Sequence, residues 1–285
     1  MVKLTTKNAV PGATPTATGT PVAPPEVVLS SEQVAQGGTL LLSLVGQLKD
    51  GSVTLFERRT PLIQGARSIY AFIGIGTDDA AGAQPLRIDF TLEGGSRGTL
   101  NEGIVVLRNE WTVDSVVLPA RLAALLDPRV TADENAILAK VYRGITNEKL
   151  WNTGWLQPTG GPLTTRFGER RSYNGSPADG HHSGCDIGSP EGTPVSVTNS
   201  GRVVMARQMQ LRGNMVVVDH GGGLYSGYAH LASFAVGEGQ AVAQGDVVGF
   251  VGSTGLSTGA HLHWEMSAGG VLVDAMRFVD GTNGF

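Results

Sequence analysis

Leu86-Arg87-Ile88-Asp89-Phe90-Thr91-Leu92 alternates apolar and polar residues without a break. A period of two is the pleat of a strand with one buried face, and no helix satisfies it. Other apolar runs, Thr39 to Val45, Ser68 to Ile75 and Ile104 to Leu107, are short and separated by glycine-containing turns. The 41 glycines and the charged fraction of only 16% fit strands and turns better than helices. The spacing predicts a mainly all-β protein that begins with an immunoglobulin-like β-sandwich over residues 27–120.

The chain changes character along its length. Residues 8–25 hold Pro11, Pro15, Pro21, Pro24 and Pro25 among Thr, Ala and Gly. Such a segment cannot bury a core, so residues 1–26 read as an extended, flexible linker. A helical connector is expected over 121–156. There Thr131 and Glu134 have capping-box spacing, Ile137, Leu138 and Val141 form one apolar stripe, and Gly144 is the stop. This connector reads as a link, with no chemical part. Residues 157–285 return to short strands and glycine turns, and all six histidines lie there.

Composition removes several function classes. A net charge of −4 provides no polycationic surface for nucleic acid. No apolar run approaches the ~18–20 residues of a membrane-spanning helix. Lys3 and Lys7 are not followed by the apolar stretch of a signal peptide, so neither signal nor anchor is visible. With Cys185 alone, no intrachain disulfide can form and the redox compartment is undetermined.

The chemistry gathers in the histidine-rich half. His182 and Asp186 stand four apart around Gly184, His261 and His263 stand two apart, and His230 lies between these groups. On a strand, His261 and His263 point the same way and can share one site. Three N or O ligands with an open fourth position describe a catalytic zinc site, and the surplus imidazoles are then free for proton transfer. His181 reads as a rim residue, His220 as support for a hairpin turn or groove wall, and Cys185 as a small buried hydrophobe. No His-Glu-x-x-His occurs, so a glutamate-base zinc protease is not indicated.

Five segments in order carry a resemblance. His182-x-Gly184-x-Asp186, with Pro190 to Val195 and Gly201 to Val204 after it, resembles the first block of the lysostaphin/LytM-type zinc peptidases (the Peptidase M23-like family). Gly213 to Gly221, Tyr228-Ala229-His230-Leu231 and Gly259 to Glu265 resemble the later blocks, and Thr165 to Arg170 is similar to the entry strand. The likeness covers roughly residues 157–280. It implies a C-terminal LytM-type antiparallel sheet domain over 157–285, with His182, Asp186 and His263 as ligands of one zinc ion. It also implies His230 and His261 as catalytic histidines beside a zinc-activated water. Arg170, Asn214 and Tyr228 are candidate substrate contacts, Tyr228 because it stands two residues before His230.

The function so implied is a zinc metalloendopeptidase that hydrolyses stem or cross-link peptides of bacterial peptidoglycan in the cell envelope. The competing reading is a catalytically silent or autoinhibited regulator of another wall hydrolase. Contact between the N-terminal domain and the peptidase groove belongs to that second reading.

Overall fold

In the computed structural model the alternating segment lies in strand Gly82–Leu92, with Leu86 and Ile88 fully buried and Arg87 exposed. The structure describes residues 2–3, 23–152, 154–283 and 285. Two five-stranded sheets form the N-terminal unit. One runs in the order Val2–Lys3, Glu26–Leu29, Thr39–Val45, Ser68–Gly74, Ile63–Gln64. The other runs Gln33–Ala35, Arg97–Leu107, Gly82–Leu92, Leu48–Leu55, Arg58–Pro61. This is the immunoglobulin division of strands between two sheets. Leu40, Leu42 and Leu44 of the first sheet share one core with Val53, Ile88 and Ile104 of the second. Each such side chain contributes about 1.5–3 kcal/mol on burial.

Three expectations change here. Residues 4–22 of the expected linker lie outside the described residues, while Val2–Lys3 pairs antiparallel with Val28 and Leu29. Val113–Val116, counted with the sandwich from sequence, pairs instead in parallel with Arg170–Tyr173. The capping box is also displaced. Helix Pro128–Tyr142 begins at Pro128, and its cap is Asp127, whose side chain accepts the Arg129 N–H. Proline suits the first helical position because it has no N–H to satisfy. Thr131 therefore already lies inside the helix, and Glu134 turns inward instead of reaching back. Glu134, Leu138 and Tyr142 form the buried stripe, and Ile137 is exposed.

The C-terminal unit is organised by an eight-stranded sheet. Its order is Leu163–Thr165, Cys185–Gly188, His261–Ala268, Leu224–Leu231, Asn214–Gly221, Gly201–Gln208, Ala241–Val242, with Val271–Val273 paired to His261–Ala268. One large core packs Trp264, Tyr228, Val218, Leu231 and Phe278. Phe72 of the sandwich belongs to that second core and meets Trp151 and Phe285 edge-on or tilted. Gly74 permits the approach, since a Cβ there would stand 2.7 Å from the Ala268 carbonyl oxygen. The Asp274 N–H donates to the Gly37 carbonyl across the same junction at 2.8 Å. Among the described residues no helix is long and apolar enough to cross a membrane.

Candidate metal centre

The central strand His261–Ala268 lies between Cys185–Gly188 and Leu224–Leu231, with His263 opposite Asp186 on one side and Ala229 on the other. Directly opposed residues of antiparallel strands share a face. His182 precedes the first of these strands and is brought back over His263 at Gly184. A Cβ at Gly184 would stand 2.3 Å from the Trp264 carbonyl oxygen, so only glycine lets the chain cross so closely.

Three donor atoms converge. Asp186 Oδ1 lies 2.8 Å from His263 Nδ1 and 3.0 Å from His182 Nε2, and the two imidazole nitrogens are 3.0 Å apart. All three residues are buried, and their donor atoms lie close enough together to hold a metal ion. A tetrahedron with ~2.0 Å bonds has edges of ~3.3 Å, so small outward shifts would admit an ion. The outer nitrogens are already committed. His182 Nδ1–H donates to the Arg166 carbonyl at 3.0 Å, and His263 Nε2 meets Glu265 Oε1 at 3.1 Å. Each ring thereby turns a lone pair toward the common point, and the donor set fits a metal such as zinc. Burial alone would raise the Asp186 pKa, but hydrogen bonds with His182 and His263 outweigh it and hold the carboxylate well below its usual range. Burial alone would lower the His263 pKa, and its carboxylate partners Asp186 and Glu265 raise it instead.

Two further imidazoles flank the triad. His230 and His261 have ring centroids 4.8 Å apart, and His230 lies 5.8 Å from His263. His230 Nδ1–H donates to the Thr254 carbonyl at 2.8 Å, and His261 Nδ1 stands 2.9 Å from the Gly259 carbonyl. Among the described residues neither Nε2 makes a hydrogen bond, and His261 Nε2 lies 3.7 Å from Asp186 Oδ1. Burial pushes the His230 imidazole down to about 3. His230 has a left-handed backbone at φ 60 and sits at a register shift between Leu224–Leu231 and Asn214–Gly221. Bulges of this kind re-aim side chains beside active sites.

That bulge corrects the expectation for Tyr228. Unbroken alternation would put Tyr228 and His230 on one face, but the inserted residue separates them. Tyr228 is fully buried, and its oxygen accepts the Thr198 N–H and the Ser226 hydroxyl, each at 2.8 Å. It cannot line a groove. Asn214 is likewise structural, donating through Nδ2 to the Leu231 and Ala232 carbonyls at 3.0 and 3.1 Å. It pins the chain just beyond His230. Arg170 points outward and donates to the Ala178 carbonyl, whereas Arg171 faces inward. Arg171 donates to Asp186 Oδ2 at 2.8 Å and lies 3.5 Å from Asp114. Arg170 and Arg171 take opposite faces of the strand, and the inward one meets Asp186.

The remaining histidines lie outside the triad. His181 meets the Gly168 carbonyl at 2.7 Å and packs against Trp111. His220 is fully buried between the Ser200 carbonyl and the Ser226 hydroxyl, and burial pushes it down to about 4. Cys185 is fully buried, with its thiol pushed up to about 12 by burial.

Glu265 escaped sequence reasoning, although it follows His263 by two residues on the same face. It is fully buried and accepts from Ser183 Oγ at 2.8 Å, Arg212 at 3.0 Å and the Tyr142 hydroxyl at 2.7 Å. Burial alone would raise its pKa, but Arg212, His263 and Tyr142 together outweigh it and lower the pKa. Arg212 had no sequence signal; only the fold brings it here. The triad opens into a groove of 1340 Å³, walled by Asn135 and Leu138 of the connector helix, Tyr173 and Asp179, and Leu256 and Ala260.

A buried His-Asp-His triad that could hold a metal ion, with two more imidazoles beside it, thus lies at the floor of an open groove on an antiparallel sheet. Residues 180–275 match the model of Peptidase family M23. Over 115 residues it is 38% identical to peptidoglycan DD-endopeptidase ShyA of Vibrio cholerae, covering 40% of this chain and 27% of the relative. It is 44% identical over 93 residues to DD-carboxypeptidase/endopeptidase Mpg of Neisseria meningitidis, covering 33% and 21% respectively. The matches thus span about a quarter of these curated relatives. A solved peptidase M23 structure from Pseudomonas aeruginosa superposes with a TM-score of 0.65 at 25% identity, over 86% of this chain and 94% of that one.

Proposed function

We propose that the protein is a zinc-dependent endopeptidase that hydrolyses peptide bonds of bacterial peptidoglycan in the cell envelope. The observation that carries this reading is the pair of free Nε2 atoms, on His230 and His261, beside the His182–Asp186–His263 triad. The three triad residues would hold the ion. When bound, zinc supplies Lewis acidity for a substrate carbonyl and brings the pKa of water toward ~7.

The chain's own groups do the rest. Nε2 of His230 or His261 can accept the proton released by the attacking water and return it to the leaving amine, since both nitrogens are unencumbered. Either imidazole, once protonated, can also donate to the developing oxyanion. Arg171 and Glu265 orient Asp186 and His263 from behind. The open groove suits an extended peptide strand of a cross-linked polymer. The names of both curated relatives favour a DD cross-link over a glycine bridge as the bond cut. Retention of all five site residues disfavours the silent regulator.

The test is incubation with intact peptidoglycan and with a pentaglycine peptide, beside a His230→Ala variant and a chelated sample. New peptide ends from peptidoglycan in the untreated protein alone are expected. A zinc-loaded protein as inert as both controls would overturn the reading.

A further inference from the structure

We propose that the connector helix Pro128–Tyr142 is a working part of the active centre, with Tyr142 positioning His263 and Glu134 positioning His230. The helix lies outside residues 180–275, which the family model matches. Glu134 and Tyr142 are eight residues apart and share its buried face. Each ends on a different member of the site.

The first path runs through Glu265. The Tyr142 hydroxyl, 3% exposed, donates to Glu265 Oε2 at 2.7 Å, while Glu265 Oε1 faces His263 Nε2 at 3.1 Å. The phenol thus fixes the carboxylate that sets the orientation and basicity of the proposed ligand ring. Such outer partners of a metal-bound imidazole commonly affect metal affinity ~10–100-fold. The second path runs through the Leu211–Arg212 backbone. Glu134, 5% exposed, accepts the N–H groups of Leu211 at 2.7 Å and Arg212 at 3.3 Å. The Arg212 carbonyl in turn accepts the His230 N–H at 2.8 Å. His230 holds an uncommon left-handed backbone, which persists only where the surroundings over-determine it. Glu134 supplies that hold from outside the sheet. A helix serving only as a link has no need to bury a carboxylate on one loop and a phenol on one glutamate.

The inference rests on the peptidase reading, and its test separates the two. Tyr142→Phe removes one hydroxyl and leaves the ring packing. Glu134→Ala removes both acceptors, and Glu134→Gln keeps one. Zinc dissociation constants are measured by chelator competition, kcat and KM on a cross-linked muropeptide, and melting on the metal-free proteins. Tyr142→Phe is expected to weaken zinc binding about tenfold. Glu134→Ala is expected to lower kcat about tenfold while leaving KM and zinc affinity nearly unchanged, with Glu134→Gln between it and the parent. Metal-free melting points that fall while zinc affinity and kcat stay at the parent values would make the helix a structural brace and overturn the proposal. Zinc affinity needs no turnover, so the Tyr142 arm still decides its part if the parent protein cuts no wall peptide.

Discussion

Among the described residues of the N-terminal sandwich the buried polar side chains are Gln36, Thr39, Ser52 and Thr60, none of them ionisable. The C-terminal sheet buries His182, Asp186, His220, His230, His263 and Glu265. Both units rest on the same alternation of side chains, yet only one takes charge into its interior. A sandwich closes two apolar faces on each other and offers no partner to a buried charge. The C-terminal sheet has a second wall, the connector helix and the Arg212 loop, which supplies hydrogen bonds that make the burial of Glu265 tolerable, while Arg171 does the same for Asp186. A sheet that buries charge in this way is completed by elements outside itself.

Three measurements would break or sharpen that contrast. The largest effect is expected from Asp186→Ala, which leaves the triad with two imidazoles and no carboxylate. Its kcat/KM should fall by at least about a thousandfold, equivalent to several kcal/mol of transition-state stabilisation. Metal analysis should find the zinc lost, and retained stoichiometric zinc would show that the triad is misassigned. The mirror experiment is Leu42→Ala in the sandwich core, where Leu42 is fully buried. Denaturant unfolding should report a loss of about 2–5 kcal/mol, with kcat and zinc affinity unchanged in the protein that remains folded. A fall in kcat would mean that the two units are coupled more tightly than their separate cores suggest.

The smallest effect concerns pH. His220 is pushed down to about 4 by burial, so the unfolded chain binds its proton before the folded chain does. That part of the stability is complete above the ordinary pKa of ~6.5 and is lost as pH falls toward 4. Its share of the loss between pH 7.5 and 5 is about 2 kcal/mol. His220→Gln should remove this share, seen as a shallower slope of unfolding free energy against pH. An unchanged slope would assign the acid sensitivity to the metal-site histidines instead.

How far the sequence could be read depended on range. His261, His263 and Glu265 fall on one face because a strand alternates, and Gly184 marks a close crossing. Arg171 is open to the same reasoning only once the phase of its strand is known, and the structure supplies that phase. Tyr228 failed for a sharper reason. Its relation to His230 assumes an unbroken strand, and the bulge that re-aims His230 depends on Arg212, Asn214 and Thr254, which come from other parts of the chain. The capping box failed because Pro128 started the helix one turn early, which freed Glu134 for a longer-range bond.

By itself the sequence determined the β architecture, the grouping of histidines and the types of donor group available, because period, glycine and donor chemistry are properties of short stretches. Only the tertiary structure decided which nitrogens face the common point, which arginine supports Asp186, and that a helix from the connector closes on Glu265. Those outcomes depend on hydrogen bonds between residues as far apart as Tyr142 and Glu265, and no local pattern encodes a contact across that separation.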